Sequence, residues 1–124
     1  MKALIVFFFI FLFVSGCEST ENSQQVDREE LDRKLEEIKD LIAGESCDEA
    51  NTCDYIAVGS KACGGPKTYL AFSSSIDRQK LEELVENYNK AEDDYNLKYG
   101  IESDCMVLTP PEKVECINEK CEAF

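Results

Sequence analysis

Asp54-Tyr55-Ile56-Ala57-Val58-Gly59-Ser60-Lys61-Ala62-Cys63-Gly64-Gly65-Pro66-Lys67-Thr68-Tyr69-Leu70-Ala71-Phe72-Ser73 is the stretch from which the fold is read. Its two ends, 54–60 and 68–73, are short, partly aromatic or β-branched, and bounded by glycine and serine, the pattern of β-strands. Between them two glycines and a proline interrupt regular structure around Cys63, so the middle is a turn pinned by a cysteine. Immediately afterwards Ser74 or Ser75 is placed to cap a long helix. Its apolar stripe runs Leu81, Leu84, Val85, Tyr88, Ala91, Tyr95, Tyr99, and Gly100 ends it. Tyr88-Asn89 and Tyr95-Asn96 repeat seven residues apart and read as core contacts on successive turns.

Beyond that helix, Met106–Thr109 and Val114–Ile117 read as two further strands interrupted by Pro110-Pro111, with a last piece at Cys121–Phe124. Upstream, Leu31, Leu35, Ile38, Leu41 and Ile42 recur at three- and four-residue spacing with Gly44 behind them, which predicts an amphipathic helix over 27–43. The expected architecture is α+β. A small disulfide-stabilised antiparallel sheet packs against one long helix, and an N-terminal amphipathic helix precedes it.

Seven cysteines and no histidine occur in the 124 residues. Cys17 stands apart from the other six, in the run Val14-Ser15-Gly16-Cys17 behind an apolar segment, Ala3 to Val14, that is too short to span a bilayer. These four residues resemble the lipobox of bacterial lipoproteins. That resemblance implies a signal peptide over 1–16, acylation (palmitate among the acyl groups) of Cys17, and a lipidated tether over 17–25. Glu18 and Glu21 loosely resemble the acidic stretch that directs some lipoproteins to the cell surface. The implied address is the bacterial cell envelope, on the outer membrane at its periplasmic face or the cell surface, with the membrane contacted through the lipid anchor.

Cys47, Cys53, Cys63, Cys105, Cys116 and Cys121 form an even set within 26–124, read as a single domain. In an oxidising compartment they form a disulfide framework that supplements a small core. Six cysteines allow 15 connectivities. Cys116 and Cys121, separated by Ile117-Asn118-Glu119-Lys120, could brace the two arms of a hairpin. No C-x-x-C pair and no histidine are present, so a zinc site is not expected. Asp48, Glu49, Asn51 and Asp54 lack the order and the glycine of a calcium loop.

The chain carries a net charge of −13. Removing the signal with its Lys2 leaves 12 basic against 26 acidic side chains, or −14. Such a surface repels phosphate backbones, so nucleic acid is excluded as a partner. No cofactor and no catalytic residue is expected either. Histidine, a nucleophile elbow and phosphate-binding glycine loops are missing, and Glu82-Glu83 and Asp93-Asp94 read as solvated helix surface.

The run Cys63-Gly64-Gly65-Pro66-x-x-Tyr69-Leu70-x-Phe72-Ser73, the helix carrying Leu81, Leu84 and Tyr88-Asn89, and Ser103-Asp104-Cys105 resemble an uncharacterised family of small exported bacterial proteins and lipoproteins. The resemblance covers about Leu35 to Cys121. It implies a consistent fold and supplies no catalytic residue.

The expected function is a non-enzymatic binding or interaction module with an envelope or secreted protein as partner. Lys61, Gly64, Gly65, Pro66 and Lys67 form the candidate recognition loop, the least acidic surface of the chain. The alternative is a protease inhibitor that presents the Lys61–Lys67 loop as a preorganised substrate mimic.

Overall fold

The computed structural model describes residues 19–124. The expected signal peptide and the lipidation residue Cys17 lie outside the described residues. The elements run α1 (Ser19–Ala43), β1 (Cys53–Val58), β2 (Thr68–Ser73), α2 (Arg78–Tyr99), β3 (Val114–Ile117) and β4 (Lys120–Ala123). The fold is α+β with three disulfides. Its strands make two separate antiparallel ladders, β1–β2 and β3–β4, instead of one sheet.

The β1–β2 register places Asp54 opposite Phe72, Ile56 opposite Leu70 and Val58 opposite Thr68. Because side chains alternate along a strand, these three pairs share one face of the ladder, and Cys53, Tyr55, Ala57, Tyr69, Ala71 and Ser73 share the other. The first face meets the helices. Val58 and Phe72 join Leu31, Ile38, Ile76, Leu81, Val85, Tyr88 and Tyr95 in the buried core, with Ile56, Leu70, Leu35, Leu41 and Ile42 packed around it. The second face carries β3–β4, stapled on by Cys53–Cys121 and, from the α1–β1 connection, Cys47–Cys116. Helices, first ladder and second ladder therefore form three successive layers.

Helix α1 begins at Ser19 instead of Asp27, so residues expected to be tether are helical. The cause lies on α2. Gln24 Nε2 and Arg28 Nε donate to the Tyr95 hydroxyl, while Asp27 accepts from Lys98 and from the Tyr99 hydroxyl, which gives the polar first turns of α1 a surface to bind. Asp77 caps α2, not Ser74 or Ser75, by accepting the backbone N–H of Lys80. Ser75 is occupied elsewhere, its hydroxyl donating to Glu45, and the neighbouring Ser73 hydroxyl donates to the carbonyl of Ser46. At the other end Gly100 takes the left-handed conformation (φ 59°) that closes the helix.

Two further expectations are corrected. Met106–Thr109 forms no strand, because side chains take the carbonyls a ladder would use. Lys61 Nζ donates to Met106 O, and the Tyr69 hydroxyl donates to Leu108 O. Pro110-Pro111 in turn lacks two backbone donors. Cys116 and Cys121 do not bridge to each other. They stand directly opposite in the β3–β4 register, so both side chains leave by the same face, and there each meets a different cysteine. Among the described residues no helix is long and apolar enough to cross a membrane.

Candidate functional site

The β1–β2 loop carries the candidate recognition residues, and α2 holds it from below. Gly59 N–H donates to Asn89 Oδ1 at 2.7 Å, Ser60 N–H to Glu92 Oε2 at 2.8 Å, and Asn96 Nδ2 donates to Ser60 O at 2.8 Å. Positions 89, 92 and 96 follow helical spacing, so one polar stripe of α2 reads out the loop backbone. Gly59 is required there. Its φ is +92°, and a Cβ would stand 2.8 Å from Lys67 Cβ. The loop tip closes on itself through Lys61 N–H to Gly65 O and Gly64 N–H to Lys61 O. Cys63–Cys105 ties the tip to the segment after α2, where Cys63 N–H also donates to Ser103 Oγ.

Both lysines of this loop are engaged within the domain. Lys61 binds the Asp104 carboxylate and the Met106 carbonyl with only 14% of its side chain exposed, and its ammonium holds the Asp104 carboxyl below the usual carboxylate range. Lys67 binds Glu92, which is 3% exposed and also accepts from the Tyr88 hydroxyl. Burial first, and the Glu92 charge second, push the Tyr88 phenol up to about 12. A substrate-like inhibitor must offer its lysine to the pocket of a protease, and Lys61 is turned inward. Gly64 and Gly65 are exposed, and Pro66 is half-buried beside them.

Several of the acidic groups noted in the sequence are held in separate local bonds. Glu82 and Asp54 both pair with Arg78, and Asp94 pairs with Lys90. Asp48 accepts the backbone N–H groups of Ala50 and Asn51, which lowers its pKa. The structure therefore does not bring Asp48 and Asp54 to one ligand position. The sulfurs of Cys47, Cys53 and Cys121 lie within 4.8 Å of one another, but all three belong to disulfides and offer no thiolate.

A different feature has the shape of a binding site. An open cleft of about 470 Å³ runs between the end of α1 with the Gly44 that follows it, the strand β2, and the β3–β4 turn (Asn118, Glu119) with the start of β4. That volume falls in the range of ligand pockets. Four consecutive β2 residues, Leu70 to Ser73, line it. Since neighbouring side chains point to opposite faces, a run of four on one wall means that the edge of the strand, not a face, borders the cleft. α1 forms the lower wall, on the core side, and the β3–β4 turn the upper wall, on the disulfide side.

Sequence reading missed this cleft, because its walls come from three segments far apart in the chain that the Cys47 and Cys53 bridges and long-range hydrogen bonds bring together. The signal present in the sequence is the absence of charge and proline across Thr68–Ser73, unusual for a strand with a free edge. No family model matches the chain, and no match was found among the curated proteins or the solved structures compared with it.

Proposed function

We propose that the protein is a lipid-anchored module of the bacterial cell envelope that binds a partner without transforming it, and that the cleft beside β2 is its binding surface. The observation that carries this reading is the cleft itself. It combines apolar side chains (Ile42, Leu70, Phe72) with backbone polar groups, and its walls are fixed by two adjacent disulfides, so little ordering cost remains to be met on binding. The three disulfides support an oxidising compartment. The lipobox-like run supports anchoring through Cys17, and the acidic surface supports a proteinaceous partner over nucleic acid.

Site-specific photocrosslinking of the full-length protein in the producing bacterium tests the binding surface. A photoreactive residue replacing Glu119, on the upper wall, is expected to give a discrete crosslinked product. The same residue replacing Leu97, which is 77% exposed on α2, is not. Equal products from both positions, or none from Glu119, would contradict the assignment. For the anchor, labelled palmitate is expected in the wild type and lost in Cys17→Ser.

A further inference from the structure

Resting on the binding role just proposed, we infer that the cleft takes an extended, basic peptide segment of a partner protein, which adds as a third strand to the free edge of β2. Ser74 N–H donates to Thr52 O at 2.7 Å, which makes 52 and 74 a hydrogen-bonded pair. In an antiparallel ladder such pairs alternate, so 54/72 and 56/70 bond across to each other, while 55/71 turns its backbone groups outward.

The two outward edges differ. On β1 the Tyr55 N–H is covered by its neighbour, donating to Asp54 Oδ1 at 2.8 Å. On β2 the same alternation turns the N–H and C=O of Ala71 away from β1, towards the edge that borders the cleft. A donor and an acceptor of one residue, spaced along a strand edge, are matched by the backbone of an extended peptide. Ordinary proteins block such edges with charge or proline, and this one shields β1 while leaving β2 open.

Charge selects the kind of peptide. Glu45 and Glu119 stand on the two walls, and Lys39 is already paired with Glu36, which leaves Lys120 as the cation facing them among the lining residues. With a net charge of −13 on the whole chain, a basic segment is steered in and a second copy of the same chain is repelled.

The test measures binding of a labelled peptide by fluorescence anisotropy, using the full-length oxidised protein in neutral detergent. The probe is the capped hexapeptide (Lys-Val)3. Its controls are (Glu-Val)3 and the same (Lys-Val)3 peptide N-methylated at its third and fourth residues, which removes one donor from each edge. The basic peptide is expected to bind at least about tenfold more tightly than either control, with the advantage over (Glu-Val)3 shrinking as salt is raised. Ala71→Pro removes the outward donor without touching a ladder bond and should weaken binding by a similar factor while the three disulfides still form.

No binding of (Lys-Val)3 at 1 mM, equal binding of the N-methylated peptide, or equal binding of (Glu-Val)3 would overturn the inference. Each of these results alongside a persistent Glu119 crosslink would leave the binding role standing and reject only the basic, strand-adding peptide as its occupant. Concentration-dependent dimerisation that shields Ala71 would overturn the basic-peptide assignment in favour of a second copy.

Discussion

Glu92 is the residue on which the loop and the core meet. Its carboxylate receives the Ser60 N–H, the Lys67 ammonium and the Tyr88 hydroxyl from within the domain. Glu92→Ala leaves a buried donor without a partner and is expected to cost about 2 kcal/mol in urea unfolding, while Glu92→Gln, which keeps an acceptor, costs roughly half of that. In either variant the Tyr88 phenol should titrate below its native value of about 12 but above 10, because burial is the larger cause of its shift. An absorbance titration at 295 nm checks this. As the folded phenol ionises later than the unfolded one, its contribution to stability is full below pH 10 and is lost as pH rises through about 12. At Gly59 both the positive φ and the 2.8 Å approach to Lys67 oppose a side chain, so Gly59→Ala should destabilise by more than about 1 kcal/mol. The Tyr-Asn repeat on α2 was legible only in part. Its seven-residue spacing places both tyrosines in the core, but nothing in a period tells that the asparagines would hold the backbone at Gly59 and Ser60.

At the scale of elements, both helices, β2 and the two C-terminal strands were legible from apolar periodicity and breaker residues. What escaped was decided by partners distant in sequence. The start of α1 depends on Tyr95, Lys98 and Tyr99, more than 65 positions away by the separations of these hydrogen bonds. The α2 cap lies at Asp77 and not at Ser75, whose hydroxyl Glu45 recruits. Asp77→Ala is therefore expected to cost about 1 kcal/mol through loss of the cap, measured by thermal or urea unfolding. Ser74→Ala, whose side chain serves no cap, should leave stability within about 0.5 kcal/mol of wild type. The segment 106–109 has the composition of a strand and the exposure of a loop, with Val107 89% exposed, since its neighbours' carbonyls are claimed by Lys61 and Tyr69.

For the molecule as a whole, the even cysteine count announced three bridges but not their partners. Cys47–Cys116 and Cys53–Cys121 run side by side, closing sequence separations of 69 and 68 residues. Either one alone already restrains the same loop. Removing the Cys53–Cys121 pair is expected to cost about 3 kcal/mol, whereas removing both adds about 4 kcal/mol more and should abolish folding at 37 °C. Far-ultraviolet dichroism of the double and quadruple serine variants reads this difference. Acid acts on the same scale. Asp27, Asp54 and Asp104 have pKa values lowered chiefly by hydrogen bonds to Lys98, Arg78 and Lys61. Their contribution is present above the unfolded value near pH 4 and disappears as pH falls through the lower folded values, so the urea midpoint should decline below about pH 4.

The central claim, a stapled module whose binding surface is the open edge of β2, is tested most directly by residue-resolved amide hydrogen exchange on the unliganded protein. The Leu70 and Phe72 amides, bonded into the β1–β2 ladder, are expected to exchange slowly, and the Ala71 amide between them to exchange at least about a hundredfold faster. Protection of Ala71 equal to that of its two neighbours in the monomer would mean that the edge is already covered, and would contradict the account.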